Sequence, residues 1–199
     1  MHTTLIAHHP LLATLFWLSF YGWFFFFETW VSARDKRAKV TELHTDARSA
    51  TFLLVMFYVG IGLSFIAAFL LPQFTLPHRM YFFVGGIMLI WGGVAFRYWS
   101  IKTLGKYFRT LVLIQDDHRL ISDGPYRYLR HPAYAGTLVS VLGVGLALGN
   151  SIGVSLMVLC ALFGYVRRIY VEEAALKRRF REKYDAYHAR TWHLIPFVW

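Results

Sequence analysis

Two polar clusters stand at the edges of apolar runs. Arg130-His131-Pro132 opens the run Ala133–Gly149, and Glu172-Glu173 follows the run Ser151–Ile169. Proline suits the first helical turn because its missing N–H would be unsatisfied there anyway. The free N–H groups of that turn can hold an anionic group. Arg130 and His131 would sit beside it, as binding groups or as a snorkelling arginine and a structural histidine. Adjacent carboxylates at a membrane boundary repel each other and persist when paired or hydrogen-bonded. Arg168, four residues before Glu172, predicts one helical ion pair. Glu173 has no such cation, and the alternative for the pair is a solvated helix turn. Glu28, near the end of the first apolar run, is an intramembrane acid and so a functional suspect. Trp30, two residues on, favours an interfacial and solvated position for it.

Other chemistries find no support. His8, His9, His44 and His78 have no partner at ligand spacing, and His118 and His131 lie 13 apart on irregular chain. Cys160 is the one cysteine, which excludes an intramolecular disulfide, a cysteine zinc site and an iron–sulfur cluster. No Gly-x-Gly-x-x-Gly and no phosphate loop occurs. The expectation is a site without metal and without nucleic acid.

The elements that must position these residues are membrane helices. Of 199 residues 57% are hydrophobic and 16% charged, and mean hydropathy is +0.43. Soluble domains carry roughly 25% charged residues, so the bilayer is the main solvent. Five apolar runs approach the roughly 20 residues needed to cross it: Leu11–Trp30, Ala50–Leu71, Met80–Ile101, Ala133–Gly149 and Ser151–Ile169. The last two are short, and Gly149-Asn150-Ser151 between them predicts a tight helical hairpin. The first is followed by Arg34, Lys36, Arg37 and Lys39, a stop-transfer pattern rather than a signal peptide. Of the 21 Lys and Arg, all but Arg79 fall on one side. The positive-inside rule puts the N-terminus outside and the C-terminus in the cytoplasm. Gly145-x-x-x-Gly149, Gly85-Gly86 and Gly92-Gly93 are read as helix contacts. The polar stretch Thr103–Pro132 is long for a connection. The tail from Tyr170 carries Leu176, Phe180, Tyr184 and Tyr187 on one helix face, predicting an amphipathic cytoplasmic C-terminal helix. The fold class is therefore all-α: a bundle of five transmembrane helices in a single membrane domain over 1–199. Residues 1–102 form a three-span half, and 103–196 supply the connector, hairpin and tail.

The segment His118-x-Leu120-Ile121-x-x-Gly124-Pro125-Tyr126-Arg127-Tyr128-x-Arg130-His131-Pro132-x-Tyr134-x-Gly136 closely resembles the isoprenylcysteine carboxyl methyltransferase family and its relatives, the membrane phospholipid N-methyltransferases. Leu104-Gly105 before it continues the likeness. So do the hairpin, Arg168-Ile169-x-x-Glu172-Glu173-x-x-Leu176, Phe180, Tyr184, Tyr187, Arg190 and Ile195-Pro196 after it. The match spans 103–196. The resemblance implies a methyltransferase that uses S-adenosylmethionine and is built from membrane helices. By position it implies a cofactor site lined by Gln115, His118, Leu120, Gly124, His131, Tyr134 and Gly136, with Glu172 or Glu173 on the cofactor's ammonium or ribose. Arg130 would hold the cofactor's carboxylate or the substrate, and Arg190 would meet the substrate carboxylate. Arg130, Glu173 and Arg190 are the expected catalytic residues.

An ionised carboxylate acceptor needs only an arginine to place it, whereas an amine or thiol needs a base, for which Glu173 or His131 could serve. Arg190 favours a lipophilic carboxylate of the isoprenylcysteine type, a prenylated or small-molecule substrate entering sideways from the bilayer. A phospholipid or small-amine N-methyltransferase and a thiol S-methyltransferase stay open. The short five-span form points to a prokaryotic inner membrane. Two other classes make different demands on the sequence. A non-catalytic binding or assembly protein would be expected to lose the motif residues, which are intact. A small transporter would need polar residues deep in several runs.

Overall fold

The computed structural model describes residues 6, 9–36, 47–108 and 120–198. Among the described residues are seven α-helices of known bounds: α1 Pro10–Tyr21, α2 Glu28–Lys36, α3 Ala47–Leu70, α4 Arg79–Leu104, α5 Pro132–Leu148, α6 Ser151–Phe180 and α7 Glu182–His188. A π-helical turn, Gly22–Phe27, joins α1 to α2. The described residues form no strand, only two isolated bridges, Thr75 with Asn150 and Leu129 with Trp192.

Among the described residues, four stretches are long and apolar enough to cross a membrane: Pro10–Val31, Arg48–Leu70, Arg79–Tyr107 and Ser151–Phe180. The expected fifth, α5, is apolar but has 17 residues, short of the roughly 20 that a perpendicular span needs. It is also the most enclosed helix, with 11 of its 17 residues buried.

The helix ends follow local chemistry. Pro132 begins α5, and Gly149 ends it with φ +75°, in the left-handed region that glycine enters without a Cβ clash. Asn150 then caps α6, its side-chain oxygen accepting from Gly153 N at 2.9 Å. Its amide also donates to Leu71 O at 2.8 Å and Ala67 O at 3.2 Å, tying the predicted hairpin to the end of α3.

Glycine brings α4 and α5 into near-backbone contact. A Cβ on Gly86 would meet Gly143 O at 2.5 Å, and one on Gly136 would meet Gly93 O at 2.8 Å. Gly60, Gly153 and Gly164 do the same between α3 and α6. Of the glycines read as contacts, Gly86 and Gly93 serve as such and Gly145 lies against Val154, whereas Gly85, Gly92 and Gly149 have nothing within 4 Å of a Cβ. The main core gathers around Phe16, Phe20, Trp23, Phe83, Ile90 and Val141.

The separate amphipathic C-terminal helix is replaced by a different arrangement. Nothing between Ile169 and Phe180 breaks a helix, so α6 runs on for 30 residues. The chain turns at Arg181, which has φ +46°, into α7 of seven residues. The expected inward face survives the break: Tyr184 and Tyr187 are buried, and Leu176 and Phe180 are half-buried.

Candidate active site

The connector into α5 is held by the tail. A short turn, Gly124–Arg127, leads to Tyr128, which accepts from Trp192 N at 2.9 Å. Arg130 N then donates to Trp192 O at 2.8 Å, and His131 N to His193 O at 3.0 Å. The Tyr187 hydroxyl closes the arrangement on Tyr126 O at 2.8 Å. Burial raises the pKa of both Tyr126 and Tyr187 above the ordinary phenol value, so the Tyr187 hydroxyl remains a neutral donor.

This backbone pairing buries Arg130. Its Nε donates to Glu173 Oε1 at 2.7 Å, and Nη1 donates to the carbonyls of Thr191 and His188. The Arg130 side chain is 2% exposed and that of Glu173 12%. A carboxylate and two carbonyl oxygens take the place of the water that a guanidinium so enclosed has lost. Glu173 is also met by two imidazoles: His131 Nε2 lies 3.1 Å from Oε1, and His193 Nε2 lies 3.3 Å from Oε2. Burial lowers the His193 pKa below its ordinary value; Glu173 opposes that shift and Arg130 adds to it.

Glu172, one residue earlier, turns toward α5, where its Oε2 accepts from the Tyr134 hydroxyl at 2.7 Å. The Tyr134 ring stacks on His131, with centroids 5.6 Å apart and planes within 5°. Arg168, expected on Glu172, donates to Ser49 Oγ at 2.8 Å.

Behind Tyr134 lies a cavity of about 450 Å³, walled largely by apolar and aromatic side chains of the π-helical turn, α3, α5 and α6, among them Phe24, Phe25, Leu53 and Phe57. Its polar groups include Glu28, Arg97, Thr137 and Arg168. Arg97 grips Glu28 with both terminal nitrogens, at 2.5 and 3.1 Å, and donates to Thr137 Oγ1 at 2.7 Å. Glu28 is thus an ion-paired wall residue whose side chain stays 34% accessible. Sequence reasoning passed over Arg97, Thr137 and His193 as site residues. The available signal for Arg97 was a cation four residues inside the apolar run Met80–Ile101. His193 carried none, because only the tail's return brings it to Glu173.

The structure therefore brings Arg130, His131, Tyr134, Glu172 and Glu173 together. Leu120 is half-buried at the edge of the described connector. Gly124 packs on Thr103, 3.2 Å from its Oγ1 by a built Cβ. Gly136 faces Gly93 and Arg97 on α4, so its observed role is helix packing. Arg190 is exposed just beyond α7. Gln115 and His118 lie outside the described residues. Glu173, His188 and His193 bring potential ligand atoms within 4.8 Å of one another. The guanidinium already on that carboxylate opposes a metal cation there.

With this geometry in place, comparison with known proteins gives a consistent picture. A family model described as phospholipid methyltransferase matches residues 80–183. The chain is 29% identical over 160 residues to a probable protein-S-isoprenylcysteine O-methyltransferase of Oryza sativa subsp. indica, covering 75% of this chain and 82% of that one. It is 30% identical over 168 residues to the protein-S-isoprenylcysteine O-methyltransferase of Dictyostelium discoideum, covering 80% and 70%. Its structure resembles that of a eukaryotic intramembrane Ras methyltransferase, an isoprenylcysteine carboxyl methyltransferase, with TM-score 0.60 and 27% identity over 79% of this chain. The likeness spans just over half, 55%, of that solved chain.

Proposed function

The chain belongs to the phospholipid methyltransferase family, and from that premise we propose that it is an integral-membrane enzyme moving a methyl group from S-adenosylmethionine to the carboxylate of a lipophilic acceptor of the isoprenylcysteine type. The observation that carries the proposal is the position of Tyr134. Its hydroxyl belongs to the polar cluster through Glu172, and its side chain is a wall of the apolar cavity. A charged donor and a greasy acceptor need such a junction.

The residues fit this donor. It is a zwitterion at its amino-acid end and cationic at sulfur. The cluster sets two carboxylates beside a buried guanidinium and two imidazoles. Glu172 is the more accessible carboxylate, 31% exposed against 12% for Glu173, and would take the ammonium. Glu173 is occupied by Arg130 and would orient that arginine and His131 rather than bind directly. When bound, S-adenosylmethionine supplies an electrophilic methyl carbon: the acceptor oxygen bonds to it, the C–S pair returns to sulfur, and no proton moves. The chain's own task is alignment and exclusion of water. Arg97 in the cavity would place the acceptor carboxylate, with Arg190 at the outer edge; the apolar wall would take the lipid chain.

In this reading α5 is a fifth, shorter crossing and the whole chain one membrane domain. The basic end faces the cytoplasm, where the donor is made, with the N-terminus outside. The relatives named above are eukaryotic, so the expected prokaryotic inner membrane rests on the chain's short form alone.

The test is isotopic methyl transfer from S-adenosylmethionine to N-acetyl-S-farnesylcysteine by purified protein in lipid nanodiscs, with calorimetric titration of S-adenosylhomocysteine alongside. The expected product is a base-labile methyl ester. Absence of S-adenosylhomocysteine binding overturns the donor. Binding with label found only in amine or thioether products overturns the carboxylate.

A further inference from the structure

Resting on the carboxylate-acceptor reading, we propose that Glu28 determines acceptor specificity by occupying, inside the cavity, the seat of the acceptor's own carboxylate. The Glu28–Arg97 pair has the two-pronged geometry that a free carboxylate takes on a guanidinium: Oε1 to Nη1 at 2.5 Å and Oε2 to Nη2 at 3.1 Å. Both residues line the cavity whose remaining wall is mostly apolar. Arg97 Nε is buried and has no hydrogen-bond partner among the described residues, so the guanidinium retains an unused donor.

Accessibility decides which partner can leave. The Glu28 side chain is 34% accessible and that of Arg97 12%. Thr137 further restrains the guanidinium at 2.7 Å. The carboxylate can swing away, and the arginine cannot. Glu28 also follows directly on the π-helical turn Gly22–Phe27. Such turns insert an extra residue, re-aim the next side chains and often mark functional sites.

The exchange imposes two conditions on an acceptor. Once Glu28 departs, Arg97 is an uncompensated buried charge, so the incoming molecule must bring a carboxylate. Displacing a tethered carboxylate gains nothing in charge, so the driving force must come from burying a long apolar chain in the cavity. Short carboxylates fail the second condition, and neutral lipids fail the first. Methylation then removes the acceptor's charge, and Glu28 returns to Arg97 as the ester leaves.

The test compares wild type, Glu28→Gln and Glu28→Asp in nanodiscs. The acceptors are N-acetyl-S-farnesylcysteine and its five-carbon prenyl analogue. Glu28→Gln should lower acceptor KM by about tenfold, as when a site competent one time in ten is freed. The gain should be larger for the short analogue, with S-adenosylhomocysteine affinity unchanged and kcat not raised. Glu28→Asp, which keeps the charge and so the fold, should fall between. A raised KM in both variants, or an equal loss of S-adenosylhomocysteine affinity, overturns the proposal and makes Glu28 a structural support for Arg97. If wild type transfers no methyl to either carboxylate, the acceptor reading itself fails, an outcome distinct from an intact wild type with unmoved variants.

Discussion

Arg130 and Glu173 show how much one buried pair can govern. Arg130 touches Glu173 and the carbonyls of His188 and Thr191, so it fastens the connector, the end of α6 and the tail at once. Glu173→Gln keeps an oxygen for Nε but removes the charge. It should destabilise the protein by about 3 kcal/mol, the lower end for a broken buried pair, because the two carbonyls still solvate the guanidinium. S-adenosylhomocysteine affinity should fall at least about tenfold if the pair orients the donor site. Thermal melting and calorimetry check the two effects separately; an affinity that survives while the melting point falls would leave the pair a purely structural role.

His193 makes a pH-dependent contribution of definite sign. Its folded pKa lies below the unfolded value of about 6.5, chiefly through burial. The folded state therefore binds fewer protons in that range. Its contribution is complete above the unfolded pKa and is lost as pH falls through the folded one. The melting midpoint should drop between about pH 7.5 and about pH 5.5, and His193→Gln should flatten that slope. An unchanged slope in the variant would assign the acid sensitivity elsewhere. At this scale the sequence exposed Arg130, His131, Tyr134, Glu172 and Glu173, which sit in two compact motifs. It hid the Glu28–Arg97–Thr137 constellation, whose members are 69 and 40 residues apart. No local pattern links such positions.

At the scale of elements, glycine and length do the positioning. Gly93 faces α5 so closely that a Cβ would collide with Gly136 O and Ser140 Oγ, while its neighbour Gly92 is exposed with nothing within 4 Å. Gly93→Leu should cost roughly 1–3 kcal/mol or more by forcing the helices apart, and Gly92→Leu should be near neutral. Melting midpoints in detergent distinguish them; equal losses would refute the packing role. Separation of α4 and α5 would also carry Arg97 away from Thr137, so Gly93→Leu should impair turnover. The sequence marked both glycine pairs without saying which member faces inward. Side-by-side residues point about 100° apart on a helix, and only the neighbour's position selects one. Hydropathy likewise divides into a span and a separate tail helix what the structure shows as one helix, α6, of 30 residues. Hydropathy falls at Tyr170 while helix propensity does not, and a helix obeys the second.

Across the whole molecule, a membrane methyltransferase is assembled from elements each of which is apolar by itself. Composition and the spacing of apolar runs follow from the bilayer as solvent, so the linear chain already determined an all-helical membrane protein. The Gly149-Asn150-Ser151 hairpin and the two polar motifs were equally local. The return of the tail onto the connector, the cavity behind Tyr134 and the carboxylate seated on Arg97 were decided only by tertiary structure. They depend on which faces of distant helices meet, and in a lipid environment those faces are chosen by close backbone approach and polar pairing rather than by hydrophobicity. A sequence uniformly rich in Phe, Leu and Val carries little contrast from which to read that choice.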